Sequence, residues 1–229
     1  MFTRVNLLIR VHIRKKRSFL TVQKIPLREW KKAKTKQALL QACLELIGER
    51  SFRHVYVEDI CRRAEVSKVT FFKFFPQKED LLLYFMCLWL TDRLMELAES
   101  PKRGTQALRH LFQKVDESAR EVPGIMLSLI GFLSEVKMHP CMPELSDAEI
   151  HLYYPGKEEQ ARAIVPDLQH LFQRCVEEAI ADGEIAEGRG VEEMVIGLFT
   201  IFYGAYLTAH LYQSQDFFRF YELHLKLLL

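Results

Sequence analysis

The residues whose types and spacing could do chemistry are concentrated in one short stretch, SKVTFFKFF, residues 67–75. In a helix, Lys68, Phe72 and Lys73 share one face, and the other phenylalanines share the opposite face. Lysine cations bind phosphate or guanine, and an apolar ring contacts thymine methyls or sugars. We therefore predict a helix that packs one face inside the protein and turns the other toward duplex DNA. The predicted outward set is Lys68, Val69, Thr70, Phe72 and Lys73.

The pattern alone leaves a second interpretation open, in which Phe72 packs on a neighbouring helix and the lysines are merely solvated. The charge distribution favours contact with a polyanion. Residues 1–80 carry 19 Lys and Arg against 8 Asp and Glu, whereas the remaining residues carry 13 against 22. The small net charge of +2 therefore conceals a basic N-terminal third joined to an acidic remainder.

The sequence offers little other chemistry. It contains no G-x-S-x-G, H-E-x-x-H, Walker or G-x-G-x-x-G motif, so we expect no catalytic residues, no cofactor and no enzyme activity. Soft ligands cluster at Met138, His139, Cys141 and Met142, but a further Cys or His at ligand spacing is missing, so we expect no metal. Five widely spaced cysteines without a C-x-x-C pair indicate reduced thiols and a cytoplasmic location.

The elements that must position the lysines are all helical. Apolar residues recur at i, i+3, i+4 and i+7 in residues 34–48 and again in residues 57–64. Ser67 is a natural N-cap for the next helix, and Pro76 must end it. Further helices are predicted at 77–99, 105–120, 124–138, 146–151, 157–182 with a kink at Pro166, 191–212 and 216–228. The predicted fold class is all-α.

Three short helices with a tight turn between the second and third form a helix-turn-helix, whose third helix lies in the major groove. The segment VEDICRRAEVSKVTFFKFFPQKEDLL, Val57 to Leu82, and the lead-in LREWKKAKTKQALLQACLELI, Leu27 to Ile47, resemble the TetR family of transcriptional regulators. Beyond Leu82 the resemblance is only in the number and order of helices. We expect a basic extension at 1–33, a DNA-binding domain at 34–80, and an effector-binding and dimerisation domain at 81–229.

The resemblance implies a homodimer that binds a pseudo-palindromic DNA operator, usually as a repressor, and responds to a small molecule. By position it implies that Lys78 meets a phosphate and that Tyr56 stands where a hydroxyl residue usually caps the second helix. Three departures are visible. Phe72 and Phe74 replace frequent tyrosines, Glu65 replaces a frequent glycine, and Val69 replaces a small residue. The set expected at the DNA interface is completed by Ser67, Tyr56 and Lys78.

A hydrophobic or aromatic effector would suit the many large apolar residues of the C-terminal part. The expected pocket residues are Phe85, Trp89, Phe112, Met126, Phe132, Phe172 and Tyr203. Each is more often plain core than ligand wall.

The dimer interface is predicted on residues 167–182 and 191–212, because small residues there would let a partner helix approach closely. The expected interface residues are Cys175, Gly197, Ile201, Gly204, Ala205 and Thr208. Burial within one subunit is the competing interpretation.

Two alternative functions stay open. Residues 194–212 contain no Asp, Glu, Lys or Arg and reach the length of a membrane span, which would fit a membrane-associated helical protein. Polar residues such as Thr200, Tyr203 and His210 favour a buried or interface helix instead, and we expect no membrane partner. The missing hydroxyls on the third helix would fit a helical effector-binding protein that has lost DNA recognition.

Overall fold

A computed structural model describes residues 25–49, 51–136, 141–186, 188 and 190–229. Within these ranges the chain forms eleven α-helices and no strand, which confirms the predicted all-α fold. The helices are α1 (Leu27–Glu49), α2 (Val57–Arg63), α3 (Lys68–Phe74), α4 (Asp80–Glu99), α5 (Gly104–Glu121), α6 (Ile125–Val136), α7 (Asp147–Tyr153), α8 (Glu158–Ala163), α9 (Leu168–Ala181), α10 (Val191–Leu211) and α11 (Phe217–Leu228).

The N-terminal three helices build one packed unit. The buried stripe of α1, including Leu40 and Cys43, meets Ile60 and Cys61 of α2 and Phe71 of α3 in the core. Because these side chains recur at helical spacing, each helix presents one apolar face to the other two. The inner face of α3 is thereby fixed, and its outer face is left to solvent.

Helix α1 begins at Leu27, seven residues before the predicted start at residue 34. The amide of Trp30 donates to the carbonyl of Pro26, and Trp30 and Ala33 pack against Ala148 and Leu152 of α7. Tertiary contact therefore extends the helix into a segment that lacks an apolar stripe of its own. The rest of the expected basic extension, residues 1–24, lies outside the described residues.

The remaining helices form a second, larger layer around a continuous core. Helix α5 packs on α9 and α11, α10 packs on α9 and α11, and α7 packs on α1. Pro166 lies between α8 and α9, where the sequence predicted a kink. The helix is interrupted there because proline has no amide to donate to the helical ladder. The start of α11 is held by the buried carboxylate of Asp116, which accepts from the amides of Phe217 and Phe218 at 3.2 and 3.3 Å.

Helix α10 is long and apolar enough to cross a membrane, and it is the one such helix among the described residues. In its most apolar window 44% of the residues are buried inside the subunit. The core helix of a globular protein has the same length and composition, so this feature is weak support for a membrane span.

Candidate DNA interface and internal cavity

Ser67 starts the short helix α3 by capping it. Its side-chain oxygen accepts from the amide of Thr70 at 3.2 Å, which satisfies one of the free amides of the first turn. Phe71 and Phe75 are buried on the inner face with ring centroids 5.9 Å apart, and Phe75 in turn meets Tyr84 of α4 at 5.6 Å. The rings that were expected to pack inside therefore hold α3 in place.

The outer face of α3 is open to solvent. Val69 is 81% exposed and Phe72 is 49% exposed, although both are large apolar residues. Lys73 is exposed, and no hydrogen bond or ion pair of its side chain lies among the described residues. A cation beside two exposed apolar side chains is a surface that can pair with phosphate and touch base edges.

Two members of the outward set already have partners. Lys68 forms an ion pair and hydrogen bond with Glu58 of α2, which lowers the pKa of that carboxyl. The hydroxyl of Thr70 lies 2.9 Å from that of Ser67 and is only partly exposed. Contact of Lys68 with DNA therefore requires this exposed ion pair to be shared or broken, which costs little in water.

Lys78 precedes α4 and bridges two parts of the domain. Its ammonium donates to the carbonyl of Phe52 at 3.0 Å and lies 4.3 Å from the centroid of the Phe52 ring. Lys78 thus ties the turn before α2 to the start of α4, besides any contact with phosphate. Tyr56 occupies the N-cap position of α2 without a side-chain capping bond and leaves its ring largely exposed.

The larger domain encloses an apolar inner chamber of about 50 Å³. Four of the residues expected in the pocket line it, namely Phe85, Trp89, Met126 and Tyr203. The chamber also contains residues that the sequence prediction missed, which follow at helical spacing on α4, α5 and α6. They include Met86, Leu90, Val115, Ser118, Ile125 and Leu129. Of these, only Met86 and Leu129 lie three residues from an expected residue that lines the chamber, so helical spacing from those residues gave no signal for the others.

An outer chamber of about 620 Å³ adjoins the inner one, because Met86, Met142, Leu168 and Tyr203 line both. Its wall includes Ile150 of α7 and the segment before α9, and it carries ionisable side chains. Together the chambers reach the size of a small-molecule site with one oily and one polar part.

The other three expected pocket residues do not line either chamber. Phe112 and Phe172 are fully buried, and Phe112 stacks on Tyr221 with centroids 4.7 Å apart. They belong to an aromatic core between α5, α9, α10 and α11, so their assignment to the pocket is corrected. Phe132 is partly buried on α6, outside both linings.

Most of the expected interface residues are also buried within the subunit. Cys175, Ile201 and Ala205 lie in the core, and a Cβ atom on Gly197 would lie 2.8 Å from Leu228 of α11. The small residues of α10 therefore admit α11 of the same chain, which corrects the expectation of a partner helix at these positions. Only the outward-facing Gly204 and Thr208 remain available to a partner.

A buried ion pair joins the two domains. The ammonium of Lys36 on α1 lies 2.5 Å from a carboxylate oxygen of Glu149 on α7, and the side chains are 17% and 4% exposed. Burial raises the pKa of Glu149, but hydrogen bonds from Lys36 and Ser146 outweigh it and leave the pKa below its usual value. Lys36 also lies 4.4 Å from the ring centroid of Tyr84.

Metal ligands are not assembled in the described part of the chain, where no group of three or more His, Cys, Asp and Glu side chains could hold an ion. Met138 and His139, from the soft-ligand cluster noted in the sequence, lie outside the described residues. Cys141 is exposed, and the other four cysteines are buried.

The three-helix unit with its exposed, lysine-bearing third helix defines a helix-turn-helix DNA-binding domain attached to a helical domain with a cavity. Residues 36–85 match the family model described as bacterial regulatory proteins, tetR family. The predicted resemblance to the TetR family is therefore confirmed, and residues 36–85 carry the N-terminal domain of that family.

The fold of most of the chain is also found in a solved structure. It is similar to FadR of Thermus thermophilus, a TetR family transcriptional repressor solved in complex with lauroyl-CoA, with a TM-score of 0.56. The two chains are 21% identical, and the match covers 84% of this chain and 92% of FadR. No curated protein matched the sequence.

Proposed function

We propose that this protein is a ligand-responsive transcriptional regulator that binds a pseudo-palindromic DNA operator as a homodimer and acts as a repressor in the cytoplasm. The observation that carries the proposal is the outer face of α3, where Lys68, Val69, Phe72 and Lys73 are exposed on a helix locked from behind. A dimer would present two such helices to half-sites about one helical turn apart.

The dimer would use the outward faces of α10 and α11. These helices pack against each other, yet Ile196, Leu207 and Leu211 of α10 and Leu223 and Leu227 of α11 remain exposed. Exposed apolar side chains at helical spacing on two neighbouring helices mark a protein contact surface. The exposed face of α9 is polar instead, with Gln173, Arg174 and Glu177. The proposed dimer interface therefore consists of α10 and α11, whereas the sequence predicted it on α9 and α10.

The effector would bind in the two chambers and release the operator. FadR was solved with an acyl-CoA, and the apolar inner chamber of this chain could likewise take the tail of an amphipathic molecule. Ile150 of α7 faces the outer chamber, and the next residue toward the N-terminus, Glu149, holds Lys36 of α1. A ligand that displaces α7 would thus shift α1 and the helix-turn-helix built on it.

Release requires the effector to prefer the subunit arrangement that cannot bind DNA, because a ligand shifts an equilibrium only through its differential affinity. Tyr84 provides a second connection between α7 and the helix-turn-helix. Its ring meets both Phe75 behind α3, at 5.6 Å, and Tyr153 of α7, at 6.4 Å.

Selection of bound sequences from random duplex DNA tests the regulator proposal directly. We expect the selected duplexes to share an inverted repeat whose half-sites are about one helical turn apart. Lys73→Ala should weaken the enrichment, whereas Lys102→Ala in the loop before α5 should leave it unchanged. Failure of the wild-type protein to enrich any sequence would favour the alternative of an effector-binding protein without DNA recognition.

A further inference from the structure

The charged residues of the outer chamber indicate the charge of the effector's head group. This inference rests on the proposed function. The inner chamber offers a ligand few polar groups. Its lining is aliphatic and aromatic apart from Ser118 and the hydroxyl of Tyr203. The hydroxyl of Ser118 is engaged, because it accepts from the indole of Trp89 at 2.8 Å and donates to the carbonyl of Lys114 at 2.9 Å. This chamber, at about 50 Å³, therefore suits the end of a hydrocarbon chain, and the rest of such a chain must extend into the outer chamber.

The outer chamber has an excess of negative charge in the described part of its wall. Its ionisable acids are Glu144 and Asp167, and its one lysine or arginine is Arg162. Arg162 is already bound, since two of its nitrogens donate to one oxygen of Asp147 at 3.1 and 2.7 Å. This pair is solvent-exposed and can be shared at little cost, but it leaves Arg162 with less positive charge to offer than an unpaired arginine.

The two acids retain their charge for a ligand. Glu144 is exposed at the chamber wall, and no described side chain forms an ion pair with it. Among the described residues, the carboxylate of Asp167 accepts a hydrogen bond only from the amide of His170, at 3.0 Å, as the N-cap of α9. A neutral donor of this kind orients the carboxylate without cancelling it.

Phosphate groups are bound in proteins by free arginine and lysine side chains or by uncapped helix N-termini. The described wall of the outer chamber offers one arginine, which is shared with Asp147, and an N-terminus of α9 that is already capped by Asp167. An anionic head group would therefore meet two carboxylates against one shared cation. Aromatic faces are present instead, as Phe199 and Tyr203 both line the chamber, and such faces attract cations.

We propose that the effector is an amphipathic molecule whose apolar tail ends in the inner chamber and whose cationic head group lies in the outer chamber, and that polyanionic acyl-CoA is disfavoured. The specificity of this protein would then differ from the ligand seen in FadR, although the folds agree. Each carboxylate is solvent-exposed, so its contribution to affinity is modest, about threefold, and falls with salt.

Three probes with the same alkyl chain and different head groups test this proposal on the wild-type protein. They are dodecyltrimethylammonium, dodecyl maltoside and lauroyl-CoA, each used below its micellar concentration in calorimetric titrations at low and high salt. We expect the affinity to fall in that order, with the cation about tenfold tighter than lauroyl-CoA at low salt, and the gap to narrow at high salt.

The position of the bound probe is reported by fluorescence. The sequence contains two tryptophans, Trp30 and Trp89, and only Trp89 lines the inner chamber. In the Trp30→Phe variant the emission of Trp89 should change on binding. If this variant does not fold, the wild-type protein compared with Trp89→Phe gives the same information.

Charge variants complete the test. Glu144→Gln and Asp167→Asn should each weaken the cationic probe by about threefold, and asparagine keeps the cap of α9. The matched control is Glu177→Gln, which removes one charge from the polar outer face of α9 and should have no effect.

Two results would overturn the proposal while leaving the cavity as the effector site: lauroyl-CoA binding at least as tightly as the cation with a response from Trp89, or no difference between Glu144→Gln, Asp167→Asn and Glu177→Gln. If no probe alters Trp89, the effector site itself is refuted. DNA binding, measured separately by anisotropy, would distinguish that outcome from failure of the regulator proposal.

Discussion

At the scale of single residues, Glu65 shows where the sequence departs from what its turn requires. It has a φ of +57°, in the left-handed region, and follows α2 in the turn that leads to α3. The amide of Val66 donates to the carbonyl of Cys61 at 3.0 Å, a helix-ending arrangement that favours glycine at position 65. The substitution for glycine noted in the sequence therefore has a conformational cost.

Glu65→Gly should stabilise the protein. Removing the Cβ atom relieves about 1 to 2 kcal/mol of left-handed strain, and the greater freedom of glycine in the unfolded chain returns about 0.5 to 1 kcal/mol. We expect a net gain of about 0.5 to 1 kcal/mol in the free energy of unfolding, measured with urea. Glu65→Ala keeps the Cβ atom and serves as the control. Equal stabilities of the two variants would show that the backbone is not strained here.

Asp92 makes the stability of the protein depend on pH. Burial raises its pKa to about 6, although Arg93 and a hydrogen bond from Tyr154 act in the opposite direction. Because the folded protein holds this proton more tightly than the unfolded chain, the stabilising contribution is complete below about pH 4 and is lost as the pH rises through 6.

Asp92→Asn should therefore raise the Tm relative to the wild type at pH 7.5 but not at pH 4, where the wild-type carboxyl is already neutral. Thermal unfolding at the two pH values measures this difference. Glu177→Gln, an exposed acid on α9, should show no such contrast. An equal change in Tm at both pH values for Asp92→Asn would refute the assignment of a raised pKa.

At the scale of elements, the contact between α1 and α7 depends on the pair formed by Lys36 and Glu149. Lys36→Met would leave a nearly inaccessible carboxylate without its cation, which costs about 3 to 5 kcal/mol. Glu149→Gln should cost less, because the ammonium of Lys36 is more exposed and glutamine can retain the contact with Ser146.

A double-mutant cycle separates the pair from its surroundings. The double variant should be destabilised by at least about 1 kcal/mol less than the sum of the single variants, as measured by denaturant unfolding. Lys157 and Glu99, an ion pair whose side chains are both about half exposed, provide the control and should couple by less than about 1 kcal/mol. If the effects of the Lys36 and Glu149 variants are additive, this pair does not couple α1 to α7.

The sequence predicted elements well where local signals act, and less well where tertiary packing decides. Ser67 and Pro76 bound α3 through capping and the missing amide, and Pro166 divides α8 from α9. The start of α1 carries Pro26 and Glu29, which are helix-start signals that the sequence prediction did not use, and it is held by contacts with Ala148 and Leu152.

The same distinction between local signals and tertiary packing explains which site residues the sequence placed correctly. The orientation of α3 follows from its inner face of phenylalanines and its outer face of lysines, so the sequence placed Val69 and Phe72 correctly on the outside. Phe112 and Phe172 resemble pocket residues in type, but which large ring faces a cavity depends on packing among four helices. The small residues of α10 predicted a close approach, and only the structure shows that α11 of the same chain makes it.

At the scale of the whole molecule, the exposed apolar side chains of α10 and α11 should hold two subunits together. Ile196→Glu and Leu223→Glu each place a charge on this surface, which would have to be buried unpaired in a dimer. We expect both variants to sediment as monomers and to lose at least tenfold in operator affinity, because each monomer binds one half-site. Val136→Glu, on an exposed position of α6, should remain dimeric.

Sedimentation equilibrium at several protein concentrations measures this prediction. Dimers of both α10 and α11 variants with wild-type affinity would place the subunit contact elsewhere.

The central claim, that α3 meets DNA through its outward lysines, is tested most directly by the salt dependence of duplex binding. The Lys68→Ala, Lys73→Ala double variant should bind at least tenfold more weakly, and its log K against log salt slope should be smaller by up to about 3.6, because the dimer presents two copies of each lysine. The control is a double variant of two exposed lysines in loops away from α3 and from the proposed dimer surface, Lys102→Ala and Lys157→Ala, which should match the wild type. An α3 double variant whose affinity and slope equal those of this control would contradict the account.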